Sequence, residues 1–259
     1  MRADVYLTEY GYASSRRRAQ ELIEGGFVTV DGKVVKKSSV SIEEGDHMVT
    51  VEDPLAYVSR GGLKLEAALD AFLPDIVGMT ALDIGASTGG FTDCMLSRGV
   101  DRVYAVDAGV GQLAKKLQAD PRVISREHLN ARAISTDDIG GERVDLIVMD
   151  VSFISATYIL PRFPLLLKDG GVAICLIKPQ FEVGKSMLGK GGIVKDPKAH
   201  RIAVERVMQG GILSGLTPVG LIPSPVTGGD GNREFLICFV CGETDKKALS
   251  LSDIPRLLF

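Results

Sequence analysis

From Ala81 to Phe91 the chain reads Ala-Leu-Asp-Ile-Gly-Ala-Ser-Thr-Gly-Gly-Phe, an apolar strand that breaks into glycines and restarts as a helix. A turn of this kind lets backbone approach a ligand closely. It also presents the unpaired N–H groups of a helix N-terminus. The rhythm around it is strand–helix–strand. Strand candidates are Ala81–Ile84, Arg102–Asp107, Arg122–Ser125, Asp145–Asp150, Gly171–Ile177, Pro218–Ile222 and Glu234–Val240. Helical stretches lie at Leu63–Phe72, Phe91–Arg98, Gln112–Gln118, Ile154–Leu167 and Ala199–Leu213. Several of the strands are almost continuously apolar, as when helices cover both sheet faces. The alternation predicts an α/β fold with a parallel, doubly wound, Rossmann-like sheet.

The first 54 residues follow another pattern. Ser14 and Ser15 can cap a helix over Arg16–Glu24, stopped by Gly25 and Gly26. Phe27–Val30, the turn Asp31-Gly32 and Lys33–Val35 make a hairpin signal. A short strand, His47–Val51, follows the turn Glu44-Gly45-Asp46, and Pro54 ends the unit. The expected division is a small α+β domain over 1–54, a linker over 55–62 and the α/β domain over 63–259.

At 259 residues and 45% hydrophobic, the chain buries a core without disulfides or metal. Cys94, Cys175, Cys238 and Cys241 sit in or beside apolar segments, and no second Cys pair completes a zinc site. His47, His128 and His200 show no metal-ligand spacing, so no metal is expected. The N-terminus lacks a signal-peptide pattern. The longest uncharged stretch, Gly210–Gly229, carries Pro218, Pro223, Pro225 and six glycines, which argues against a membrane helix. A cytoplasmic setting with no membrane partner follows as the expectation.

The spacing G-x-x-x-G-G departs from the dinucleotide fingerprint, because Ser87 takes the place of the second glycine. That weighs against a nicotinamide dinucleotide. Asp83 suits a ligand bearing an amino group. Asp107 ends the next strand, 22 residues after Gly85, where a carboxylate binds ribose hydroxyls. A nucleoside with an amino-acid tail, S-adenosylmethionine, fits these features. The candidate contacts are Asp83, Gly85, Ala86, Ser87, Gly89, Gly90, Phe91, Asp107 and Asp150, with Asn130 and Glu127 near the adenine ring.

The runs L-D-I-G-A-S-T-G-G-F-T-D-C, V-Y-A-V-D-A-G-V-G-Q-L, D-V-S-F-I-S, I-K-P-Q-F-E and G-N-R-E-F together resemble the TlyA family. These are FtsJ-like ribosomal RNA 2′-O-methyltransferases, often labelled haemolysins. Ser15-Arg16, Ala19-Gln20, Gly25 and Val30-Asp31-Gly32 are similar to the S-four-type ribosomal RNA-binding domain, with Asp31 where the family usually has Asn. The resemblance implies S-adenosylmethionine as cofactor and ribosomal RNA or ribosomal subunits as partner. It implies cytidine as the nucleoside, on both subunits or on the large one alone. Carried over by motif, the family's Lys-Asp-Lys-Glu set falls on Lys64, Asp150, Lys178 and Glu234. A ribose hydroxyl hardly ionises at neutral pH. A lysine beside it takes its proton or stabilises the developing alkoxide. Lys178 is assigned that place, Asp150 orients it, and Lys64 and Glu234 complete the network.

Arg16, Arg18, Lys33, Lys36 and Lys37 are candidate RNA contacts; three consecutive arginines cannot share one helix face. Lys185 and Lys190 lie in a glycine-rich loop, 182–195, able to meet phosphates. Gly184-Lys185-Ser186 is no P-loop, because position 179 is proline. Rival classes are a membrane-active haemolysin and a catalytically dead RNA-binding assembly factor. The net charge of −3 divides unevenly: residues 1–57 hold 7 basic and 10 acidic groups, residues 58–259 hold 23 of each. Bulk attraction to RNA is excluded, and recognition must rest on a local basic face and a folded RNA shape.

Overall fold

The structure, a computed structural model, describes residues 1–13, 15–43, 45, 47–52, 56–228 and 231–258. The chain divides into two compact units, Met1–Val58 and Ser59–Phe259.

In the first unit, helices α1 (Ala3–Glu9) and α2 (Arg16–Glu24) accompany an antiparallel sheet. Its strands are β1 (Val28–Val30), β2 (Lys33–Val34) and β3 (Val49–Val51), in the order β2-β1-β3. The side chain of Ser15 accepts the Arg18 amide at 3.2 Å and caps α2. Ala19, Leu22 and Ile23 of α2 share a core with Ala3, Tyr6 and Leu7 of α1 and with Val28, Val35 and Ile42. Asp31 (φ +50°) and Gly32 (φ +76°) are both left-handed, as a two-residue hairpin turn requires. Asp31 also accepts the Met48 amide at 3.0 Å and meets the His47 ring at 2.7 Å. The expected cap at Ser14, the turn residues Glu44 and Asp46, and Pro54 and Leu55 lie outside the described residues.

In the second unit, α3 (Gly61–Phe72) starts two residues before the expected Leu63. One seven-stranded sheet follows. Its strands are β4 (Thr80–Ile84), β5 (Arg102–Val106), β6 (Val123–Arg126), β7 (Val144–Met149), β8 (Leu167–Ile177), β9 (Leu216–Pro223) and β10 (Phe235–Cys241). The order is β6-β5-β4-β7-β8-β10-β9. Helices α4 (Gly90–Ser97), α5 (Lys115–Gln118), α6 (Phe163–Leu166), α7 (Pro179–Glu182), α8 (Pro197–Leu213) and α9 (Ile254–Leu258) complete the unit.

The sheet is not wholly parallel. β10 runs antiparallel to both β8 and β9. The segment joining β9 to β10 has no helix among its described residues, and without a crossover helix the strand returns reversed. Both faces are covered. Leu82, Ile84, Met149, Ile177, Phe235 and Ile237 share a core with Ala203, Val204, Val207 and Met208 of α8. On the other face Gly220 of β9 lies against the Phe72 ring of α3, with no room for a Cβ.

Two expected helices are corrected. Ile154–Leu167 is not one helix but two 3-10 turns, Ala156–Tyr158 and Leu160–Arg162, followed by α6. Pro161 and Pro164 each remove a helical N–H donor there. Gln112–Gln118 shortens to α5, because Gln112 instead reaches back to the Ser87 hydroxyl, which donates to its Oε1 at 3.1 Å.

Candidate active site

Strands β4, β5 and β7 end along one edge of the sheet, where doubly wound folds place their ligands. A cleft of about 620 Å³ opens there. Gly85, Ser87, Asp107, Asn130 and Asp150, all cofactor candidates from the sequence, line it. Gly85 has φ +83°, and a Cβ on it would lie 2.5 Å from the Asp150 carbonyl oxygen. Only glycine lets the β4 turn pass beneath the end of β7. The Asp107 carboxylate accepts the Ser87 amide at 2.8 Å and the Gly109 amide at 2.7 Å. Each oxygen keeps lone-pair capacity for a ribose hydroxyl.

The remaining cofactor candidates do not line the cleft. Gly89 packs against Leu113 and Leu117, Gly90 packs against Ser59 and Gly62, and Ala86 and Phe91 are buried. Gly89 thus lets Leu117 of α5 come close, and Gly90 does the same for the start of α3. Asp83 is fully buried and is not among the residues lining the cleft. One of its oxygens accepts the Thr92 hydroxyl at 2.6 Å, and the other has no hydrogen-bond partner. Burial pushes its carboxyl up to about 7, against the Thr92 hydrogen bonds, and the charges of Asp150 and Asp107 add to the rise. Glu127 does not line the cleft either; it accepts the Gly111 amide at 2.7 Å.

The four residues of the Lys-Asp-Lys-Glu set come together as two ion pairs. Asp150 follows β7 and Lys178 follows β8. Because β10 is reversed, Glu234 at its start reaches the same edge, with Phe235 in register with Ile177. Lys178 Nζ lies 2.5 Å from Asp150 Oδ1 and donates to Ser152 Oγ at 2.8 Å. Lys64, from the first turn of α3, donates to Glu234 Oε2 at 2.5 Å, and both side chains are buried. Burial raises the Glu234 carboxyl, Lys64 opposes the rise, and the charge of Asp150 adds to it.

Sequence reasoning gave no site role to Ser152 and Phe153, and weighed His128 only as a metal ligand; all three line the cleft. Phe153 is 92% exposed and left-handed, with φ +64°. Its ring lies 5.3 Å from that of Phe181. The available signal was position: residues just past the apolar strand ending at Asp150 fall on the ligand-binding edge.

Of the RNA candidates, Arg16, Lys33, Lys36 and Lys37 are exposed, as are Lys185 and Lys190. The Arg18 side chain is 13% exposed and lies 3.2 Å from Glu21. Arg16 is steered instead by the buried carboxylate of Asp4, which also takes Arg2 and Gln20. Among the described residues no His, Cys, Asp and Glu cluster could hold a metal ion, and no helix is long and apolar enough to cross a membrane.

The reversed strand, the glycine turn and the cleft at the parallel strand ends define a Rossmann-like methyltransferase domain. Residues 57–241 match the FtsJ-like methyltransferase family and residues 1–47 match the S4 domain. The chain is 43% identical over 237 residues to the 16S/23S rRNA (cytidine-2′-O)-methyltransferase TlyA of Mycobacterium tuberculosis, covering 91% of this chain and 88% of that one. It is 40% identical to hemolysin A of Brachyspira hyodysenteriae, covering 93% of this chain and 100% of the relative. A solved structure from Streptococcus thermophilus is 38% identical with a TM-score of 0.80, covering 99% of this chain and 94% of that one. The chain belongs to the FtsJ-like methyltransferases of the TlyA family, with an S4 domain at its N-terminus. Family and fold imply the use of S-adenosylmethionine.

Proposed function

We propose that this protein methylates the 2′-hydroxyl of a ribose, that of a cytidine, in ribosomal RNA, with S-adenosylmethionine as donor. The observation that carries the proposal is the Lys178–Asp150 pair at 2.5 Å, whose carboxylate lines the cleft together with Gly85, Asp107 and Ser152. The cleft fits the cofactor: Asp107 at the end of β5 keeps lone-pair capacity for a ribose hydroxyl, and Asn130 and Asp150 add polar groups to the same lining. When bound, the cofactor supplies a methyl group already activated on a sulfonium.

The chain's own residues then act on the acceptor. An ammonium has three protons. Ser152 accepts one of them and the Asp150 carboxylate lies beside Nζ, which leaves a proton for the ribose oxygen. With Lys178 as the cation that stabilises the developing oxygen charge, the Asp150 carboxylate is the group of the pair that receives the proton released as the oxygen takes the methyl group. Phe153 offers the exposed ring on which the base of a swung-out nucleotide stacks. The Lys64–Glu234 pair balances charge behind the site without lining the cleft. The S4 domain presents Arg16, Lys33, Lys36 and Lys37 to RNA.

The test is methylation of purified ribosomal subunits with labelled cofactor, followed by mapping of 2′-O-methyl positions. A discrete cytidine 2′-O-methyl site is expected. Label on protein or small molecules, with none on RNA, overturns the proposal.

A further inference from the structure

Glu182 is a buried carboxylate whose two side-chain oxygens accept from a hydroxyl and an amide. It closes α7, the single turn that follows Lys178. Its Oε2 accepts the Ser155 hydroxyl at 2.5 Å and its Oε1 accepts the Ala156 amide at 2.8 Å. Its backbone oxygen accepts Arg206 Nη1 of α8 at 2.7 Å, which anchors the turn to the body of the domain. Burial is the main influence on its carboxyl and raises it, while Ser155 and Ala156 oppose the rise. Glu182 does not line the cleft.

The partners give this arrangement its meaning. Ser155 and Ala156 end the loop that starts at Asp150 and carries Ser152 and Phe153. That loop and the turn 178–182 meet at three places. Lys178 contacts Asp150 and Ser152 at one end. The Phe153 and Phe181 rings meet in the middle. Glu182 grips Ser155 and Ala156 at the other end. Leaving a carboxylate in an apolar interior costs several kcal/mol unless its hydrogen bonds are made. Here both oxygens are used, and both are spent on holding one loop against the other.

We infer that Glu182 is a positioning residue for methyl transfer: it fixes the loop of Ser152 and Phe153 against the turn of Lys178. This rests on the function proposed above. Misplacing a reacting group by about 1 Å costs on the order of 100-fold in rate. The carboxylate's charge is not what the role needs. A glutamine accepts the Ala156 amide on its oxygen and donates to Ser155 Oγ, which turns its own proton to Thr157 Oγ1, 2.7 Å away.

The experiment compares wild type, Glu182→Ala, Glu182→Gln and Ser155→Ala, each checked for cofactor affinity by calorimetry and for folding by urea titration. Methylation of ribosomal subunits gives kcat and KM. Glu182→Ala is expected to lower kcat by about 100-fold with KM and cofactor affinity within about threefold of wild type. Glu182→Gln is expected to restore kcat to within a few fold. If Glu182→Ala does not fold, Ser155→Ala, which removes one of the two grips, carries the same expectation with a smaller fall of about tenfold. A folded Glu182→Ala with wild-type kcat overturns the inference. So does a kcat loss matched by an equal loss of cofactor affinity, or, where Glu182→Ala does not fold, a Ser155→Ala enzyme with wild-type kcat. A wild-type enzyme that leaves ribosomal RNA unmethylated instead overturns the function itself.

Discussion

Lys64 and Glu234 stand 170 positions apart in the chain, yet their side chains meet at 2.5 Å inside the methyltransferase domain, both buried. A buried ion pair is not a gain in itself, but removing one partner strands the other. Lys64→Met leaves Glu234 buried without its cation. The Glu234 carboxyl, already raised by burial, then rises further. A raised carboxyl gives stability that is present at low pH and lost as pH climbs through the folded value. Lys64→Met is therefore expected to cost about 3–5 kcal/mol at pH 8 and less at pH 5. Adding Glu234→Gln should recover much of the loss. Urea titration at the two pH values checks this.

Asp83 makes a second pH prediction. Its folded carboxyl sits at about 7, well above the usual carboxylate range. Between the unfolded value and pH 7 the unfolded chain releases a proton that the folded chain keeps, so stability falls as pH rises across that window. Asn in its place keeps an oxygen for the Thr92 hydroxyl and carries no charge. Asp83→Asn is expected to flatten the fall and to raise stability at pH 8 by up to about 4 kcal/mol. Unfolding free energy measured from pH 4 to pH 8 for both proteins decides it.

Phe153 separates stability from function. A bulky side chain in the left-handed region is strained, and this one is 92% exposed. Phe153→Gly relieves the strain and loses little burial. The melting temperature is expected to hold or rise, with a gain of about 1 kcal/mol, while methylation of ribosomal RNA falls at least tenfold. Thermal unfolding and kcat/KM on the same preparation measure both.

Gly85→Ala tests the crossing of the β4 turn under β7. The new Cβ would lie 2.5 Å from the Asp150 carbonyl oxygen, on a residue with φ +83°. Either Asp150 moves or the turn does. Cofactor affinity is expected to fall at least tenfold by calorimetry, alongside a stability loss of about 2 kcal/mol.

Much of the site was legible because it lies where the apolar strands end. Asp107, Asp150 and Lys178 each follow such a run, and the glycine turn pointed to the right edge of the sheet. Glu234 needed more, since only the reversed direction of β10 brings its start to that edge, and strand direction leaves no mark on composition. The Lys64–Glu234 contact is tertiary and has no local signature, so motif resemblance alone grouped the two residues. The burial of Asp83 was not legible, because its position before the turn reads the same whether the side chain faces the cleft or the core. The broken helix after Ile154 was legible in Pro161 and Pro164, which outweigh the apolar spacing around them. Helix α1 left little trace, because no side chain caps it at Arg2.

The central claim is that Lys178 acts on the acceptor hydroxyl and not on cofactor binding. The direct measurement is single-turnover transfer of labelled methyl to ribosomal subunits by wild type and Lys178→Ala, with cofactor affinity taken on the same samples. The expected result is a loss of transfer of about 1,000-fold or more with cofactor affinity within about threefold of wild type. Transfer at the wild-type rate by Lys178→Ala would contradict it.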